Sequence, residues 1–107
     1  MSLTITYLGH SGFLLDDGAE RVVVDPFLTG NPIAGMEAQD VVCDYVALTH
    51  GHGDHIGDTL AIATENNATV VGAFEIGNWA EENGITRVER GNPGGKIEFS
   101  FGSIAFT

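Results

Sequence analysis

Six consecutive residues, His50-Gly51-His52-Gly53-Asp54-His55, constrain this chain more than anything else in it. Three imidazoles and a carboxylate form a donor set for a divalent metal, which takes neutral His nitrogens and Asp oxygens. The two glycines break any helical run, so the segment is predicted to be a loop rather than a helix. In an extended loop, side chains two apart point the same way and adjacent ones point apart, so four donors divide more naturally between two ions than converge on one. Residues 44–49 (Asp-Tyr-Val-Ala-Leu-Thr) read as a strand running into this loop. Residues 58–67 read as the helix after it, with Gly57-Asp58 offering an N-cap and Asn66-Asn67 a stop. The donors therefore fall at a strand's carboxyl end, where open α/β sheets hold their ligands.

The remaining chain supplies the sheet. Residues 3–8 alternate and are rich in β-formers, Gly9-His10-Ser11-Gly12 interrupts, and residues 13–15 resume as a second strand. Asp16-Asp17-Gly18 is a turn signal, and Arg21-Val22-Val23-Val24 has the continuous apolar character of a buried central strand. Residues 26–40, with Gly30, Asn31, Pro32 and Gly35, read as a long loop of the kind that is functional or mobile. A strand at 68–72, a helix at 75–82 ended by Asn83-Gly84, and a short strand at 87–89 follow. A turn at 92–95 leads into a hairpin formed by residues 96–101 and 103–107. The expected order is a β-meander, then β-α-β-α-β, then a β-hairpin: mixed α/β in a single unit spanning 1–107.

Composition narrows the functional classes. At 107 residues and 43% hydrophobic, the chain suits one small domain with a core. It holds no apolar run of the roughly 18–20 residues a membrane span needs, and its first residues lack a signal-peptide pattern, so a cytoplasmic protein is the default. Cys43, the lone cysteine, excludes an internal disulfide and is expected to be a small, partly buried apolar residue rather than a nucleophile or ligand. Fifteen acidic residues against four basic ones give a net charge of −11, which disfavours a nucleic-acid partner. The acids are spread along the chain with a single lysine, a balance suited to a salt-rich cytoplasm that screens self-repulsion.

Thr-His-Gly-His-Gly-Asp-His-Ile-Gly at 49–57, after an apolar strand, resembles the His-x-His-x-Asp-His metal signature of the metallo-β-lactamase superfamily. Residues 7–13 (Tyr-Leu-Gly-His-Ser-Gly-Phe) and 24–27 (Val-Asp-Pro-Phe) are similar to the start of one branch, which contains relatives of L-ascorbate-6-phosphate lactonase and uncharacterised metal-dependent hydrolases. The resemblance covers essentially the whole chain but only the amino-terminal half of that family's αβ/βα sandwich. It implies two divalent ions, Zn²⁺ first with Mn²⁺, Fe²⁺ or Ni²⁺ as alternatives. His50 and His52 would serve one ion, and Asp54 and His55 the other. It also implies further His ligands and a bridging Asp from a carboxyl-terminal half. The final hairpin, with Phe99, Phe101, Ile104 and Phe106, looks like a chain cut inside a fold. Its expected partner is that missing half, another polypeptide or a second copy in a homo-oligomer.

Three further residues carry expectations beside plainer readings. Asp54 can orient or deprotonate an attacking water as well as bind an ion. His10 is a backbone-bonded turn histidine or a catalytic, substrate-facing group near the metals. Asp25 is a cap before Pro26 or the carboxylate that accepts the far N–H of a ligand histidine, with Thr49 helping to orient the loop. The expected function is a metal-dependent hydrolase acting on an ester, lactone or phosphoester of small-molecule size. A nuclease or phosphodiesterase of the same superfamily and a non-catalytic metal-binding fragment are the alternatives.

Overall fold

A computed structural model describes residues 2–107. Strands β1 (Thr4–Gly9), β2 (Gly12–Asp16) and β3 (Arg21–Val24) form an antiparallel meander. Strands β4 (Tyr45–Ala47), β5 (Thr69–Ala73) and β6 (Val88–Gly91) then add in parallel, giving one sheet in the order β1-β2-β3-β4-β5-β6. Helices α1 (Gly53–Ile56) and α2 (Thr59–Asn66) cross from β4 to β5, and α3 (Phe74–Glu82) crosses from β5 to β6. A separate hairpin, β7 (Lys96–Phe99) and β8 (Gly102–Ala105), follows. This is the mixed α/β order expected from the sequence, with strand ends shifted by a residue or two.

The core lies between the sheet and its helices. Val23, Val46 and Val70, from three neighbouring strands, are completely buried and pack with Ile62 and Ala63 of α2 and Ile76 and Ala80 of α3. Such strands are covered on both faces, which is why their sequences are runs of valine rather than alternating patterns. Tyr45 points to the opposite face, where its ring lies 5.2 Å from Phe99 and 5.0 Å from Phe101. The hairpin aromatics, expected to need a partner surface, thus find one on the sheet itself. Between hairpin and sheet remains a cleft of about 520 Å³ lined by Leu15, Val22, Val24, Ala47, Val71 and Ile104 among others. No helix among the described residues is long and apolar enough to cross a membrane.

The helix stops are those expected: Asn67 caps α2 with a left-handed φ of 51°, and Asn83 and Gly84 end α3. Two expectations need correction. Residues 53–56 are a one-turn helix rather than loop, closed by Ile56 N–H to His52 O at 2.9 Å and Gly57 N–H to Gly53 O at 2.9 Å. A helical glycine costs only about 1 kcal/mol relative to alanine, and the tertiary contacts of His55 and Gly57 outweigh it. Gly57 has φ 46°, and a Cβ there would stand 2.5 Å from Pro26 O, so the helix is pinned tightly against the end of β3.

The second correction concerns Asp58. It precedes α2 as expected but does not cap it. Its carboxylate instead accepts from Leu28 N (3.0 Å), Thr29 N (2.8 Å) and Thr29 Oγ1 (2.7 Å). The loop at 26–40 is present as expected; these bonds tether it, and it contains a 3-10 turn, Ala38–Asp40. Cys43 is buried, and burial, reinforced by the neighbouring Asp44 charge, pushes its thiol up to about 12. That is the chemistry of an inert apolar residue, not of a nucleophile.

Candidate metal centre

Strand direction explains why distant residues meet. The β1–β2 turn, the end of β3 and the end of β4 all lie at one edge of the sheet, because β2 runs antiparallel to β3 and β3 parallel to β4. His10 stands in that turn, Asp25 directly follows β3, and Thr49 to His55 follow β4. The sheet topology thus gathers all seven residues singled out in the sequence. None of the ion-paired cations is among them: Arg21 pairs with Asp16, Arg90 with Glu81 and Lys96 with Glu98. The edge is left with imidazoles and carboxylates, a set that favours a bound cation.

Asp25 organises the edge from beneath. It is 1% exposed, and each of its oxygens is engaged. Oδ1 accepts from Thr49 N at 2.8 Å, while Oδ2 accepts from Thr49 Oγ1 at 2.6 Å and from His55 Nδ1 at 2.9 Å. Asp25, His50 and His55 have donor atoms close enough together to suggest an ion among them. These hydrogen bonds already engage the buried Asp25 carboxylate with three donors, the arrangement of a carboxylate that orients imidazoles.

This network assigns proton positions. A carboxylate only accepts, so His55 carries its proton on Nδ1 and leaves Nε2 with a free lone pair. Thr49 has one hydroxyl proton and gives it to Asp25. At its 2.9 Å contact with His50 Nδ1 the hydroxyl must therefore accept, so His50 also holds its proton on Nδ1. One buried carboxylate thus sets two imidazoles, one directly and one through Thr49, with both Nε2 atoms available for a metal.

The candidate donor atoms fall into two pairs. His50 Nε2 lies 3.0 Å from His52 Nδ1, whose N–H it accepts in the metal-free protein, and His55 Nε2 lies 3.7 Å from Asp54 Oδ1. Two ligands of one tetrahedral Zn²⁺ at about 2.1 Å each lie about 3.4 Å apart, so both spacings suit a shared ion. The donor set passes the test of chemistry and spacing for divalent metal. His10 joins from the turn: its Nε2 is 3.2 Å from Asp54 Oδ2, and its ring stands edge-on to His55 at 5.0 Å.

Two supports were not read from the sequence. Tyr7 donates its hydroxyl to His10 O at 2.7 Å, bracing the turn. Asp58 ties the 26–40 loop to the start of α2. The Tyr7–His10 spacing was the only signal for the first. For the second, a helix-capping motif competed with a long-range contact that spacing does not reveal.

Residues 4–101 match the family model described as a beta-lactamase superfamily domain. A UPF0173 metal-dependent hydrolase of Staphylococcus carnosus is 45% identical over 105 residues, covering 97% of this chain and 46% of the relative. One from Heliobacterium modesticaldum is 42% identical, covering 98% and 44% respectively. The chain spans about half the length of these curated relatives. Among solved structures, Igni18, a metallo hydrolase of the archaeon Ignicoccus hospitalis, superposes with a TM-score of 0.82 at 29% identity, covering 92% of this chain and 43% of that one. CmlA, a diiron β-hydroxylase of Streptomyces venezuelae, shares the fold with a TM-score of 0.71 at 20% identity. The chain belongs to the beta-lactamase superfamily domain family, of whose metallo-β-lactamase fold it forms the amino-terminal half.

Proposed function

We propose that this chain is the metal-bearing half of a metal-dependent hydrolase acting on an ester, lactone or phosphoester of small-molecule size. The observation that carries the reading is the pairing of donor atoms, His50 Nε2 with His52 Nδ1 and His55 Nε2 with Asp54 Oδ1, over a buried carboxylate that sets the protons of His50 and His55. His50 and His52 would hold one divalent ion, Asp54 and His55 a second. Zn²⁺ fits the donors best, and Mn²⁺, Fe²⁺ or Ni²⁺ fit without thiolate to select among them. Bound there, the ions would supply Lewis acidity toward a substrate oxygen and a water acidified toward neutrality.

The protein groups then have separate tasks. Asp25 and Thr49 keep His50 and His55 in the ligating tautomer, so these two need not move a proton before metal binds, whereas His52 must release the Nδ1 proton it donates to His50. Asp54 presents two oxygens, one toward His55 and one toward His10, and can hold a water by the oxygen it leaves free. The apolar cleft under the hairpin is the surface against which the fold's second half packs, and that half would bring the remaining ligands and the substrate pocket. Relatives of about twice the length, named metal-dependent hydrolases, support this reading.

A nuclease or phosphodiesterase reading is weaker, because the net charge is −11 and no cation lies among the site residues. The test is elemental analysis of the full-length protein with a screen of lactone, ester and phosphodiester substrates. Two ions per chain and hydrolysis that is lost in His52→Ala support the reading. A protein that binds no metal, with His52→Ala unchanged, overturns it.

A further inference from the structure

His10 is held in an unusual way. It occupies a two-residue turn between Gly9 and Gly12, which pair across β1 and β2. Its φ is 56°, in the left-handed region where glycine or asparagine is the default in such turns. A non-glycine residue there carries strain, and such strain gathers at ligand sites. Its neighbour Gly9 is also left-handed, at φ 90°, and the Tyr7 hydroxyl clamps the His10 carbonyl. The turn is over-determined, and what it delivers is one imidazole to the edge that carries His55 and Asp54.

The delivered atom stands where a ligand would. His10, Asp54 and His55 each offer a donor atom, all within 4.8 Å of one another. Asp54 divides its oxygens between the two imidazoles, Oδ2 at 3.2 Å from His10 Nε2 and Oδ1 at 3.7 Å from His55 Nε2. Among the described residues, the His10–Asp54 approach is an ion-pair contact and not one of the aligned hydrogen bonds, unlike that of His55 with Asp25. The imidazole is also partly open to solvent, with 37% of its side chain exposed, so a cation can reach it.

We infer that His10 is a third protein ligand of the ion held by Asp54 and His55, so that this ion takes three donors from this half of the fold alone. The inference rests on the proposed dinuclear site. It assigns His10 to metal binding instead of acid–base work on substrate, and it makes the Asp54 ion the less dependent of the two on ligands from elsewhere. Selection for a histidine in place of the less strained glycine or asparagine is then explained by the metal.

The test uses the full-length protein and the variants His10→Asn and His10→Gly, both of which suit the left-handed backbone and should fold. Zn²⁺ stoichiometry and affinity are measured by equilibrium dialysis against a chelator. Ligating imidazoles are counted in the Co²⁺-loaded protein from their paramagnetically shifted N–H proton resonances. The metal-free variants are expected to melt at or above the wild-type temperature. They should retain one ion with wild-type affinity, bind the other on the order of 100-fold or more weakly, and lose one shifted N–H signal. An unchanged second affinity overturns the inference, and so does a weakened affinity with every N–H signal retained, which would make His10 a positioning residue. A wild-type protein that binds no ion overturns the dinuclear reading itself.

Discussion

Replacing Asp25 by asparagine exchanges one oxygen for NH₂ and should disable two of the proposed metal ligands. The backbone N–H of Thr49, 2.8 Å from Oδ1, cannot reverse its polarity, so the asparagine must turn its oxygen to it. The new NH₂ then faces Thr49 Oγ1 and His55 Nδ1, where two donors previously arrived at 2.6 and 2.9 Å. In the metal-free protein the network can invert. His55 accepts at Nδ1 and moves its proton to Nε2, and Thr49, freed of Asp25, donates to His50 Nδ1 with the same result. Folding stability therefore changes little, and φ 45° at residue 25 suits asparagine. Metal binding needs both Nε2 atoms bare, which sets donor against donor at His55 Nδ1 and leaves the Thr49 hydroxyl proton without its acceptor. A buried unpaired donor costs about 1–3 kcal/mol, so affinity should fall about 10–100-fold at each ion, at 1.4 kcal/mol per tenfold. Chelator competition with Zn²⁺ on the full-length protein, beside a thermal melt of the metal-free form, measures both halves. Unchanged metal affinity in a folded Asp25→Asn variant would refute the tautomer assignment.

Three other outcomes are expected. Asp58→Ala removes three hydrogen bonds from the 26–40 loop and should cost about 1–3 kcal/mol in urea unfolding, with faster proteolysis within that loop and no change in the number of ions bound. Cys43 is protonated in folded and unfolded chains below pH 9.0, but between there and about 12 only the unfolded chain ionises. Stability should then drop by about 1.4 kcal/mol per pH unit over that window, a slope that Cys43→Ala lacks, and a thiol reagent at pH 8 should react only after unfolding. The net charge of −11 with a single lysine motivates the third: the urea midpoint should rise from dilute buffer to molar KCl, and equal midpoints would sink the idea of a salt-adapted protein.

The candidate donors were legible in the sequence because they are local. Four of them lie within six residues, after a strand whose apolar run declares it buried. The order of strands and helices was legible for a similar reason, since Asn67 and Gly84 mark stops by backbone conformation rather than by distant contacts. Contacts between strand ends were legible only in part. That Asp25 accepts from a histidine of the loop was one of two readings, but that it reaches Thr49 and His55, across 24 and 30 residues, and that Asp58 reaches Thr29 across 29, only the fold reveals. For Asp58 the local reading, an N-cap, was outweighed by backbone donors of the 26–40 loop that only the fold brings near. His10 shows both sides: its place between two glycines was visible, but its approach to Asp54 depends on β1 and β2 pairing so that their turn lies over the end of β4. The short helix at Gly53–Ile56 was missed because the glycines that argue against a helix in isolation are tolerated where Gly57 must press against Pro26.

Anomalous diffraction at the metal edge, from crystals of the full-length protein grown with Zn²⁺, tests the two-ion site most directly. Two peaks per chain are expected, one within bonding distance of His50 Nε2 and His52 Nδ1 and the other of His55 Nε2 and Asp54. A single peak shared by all four residues, or none at this edge of the sheet, would contradict it.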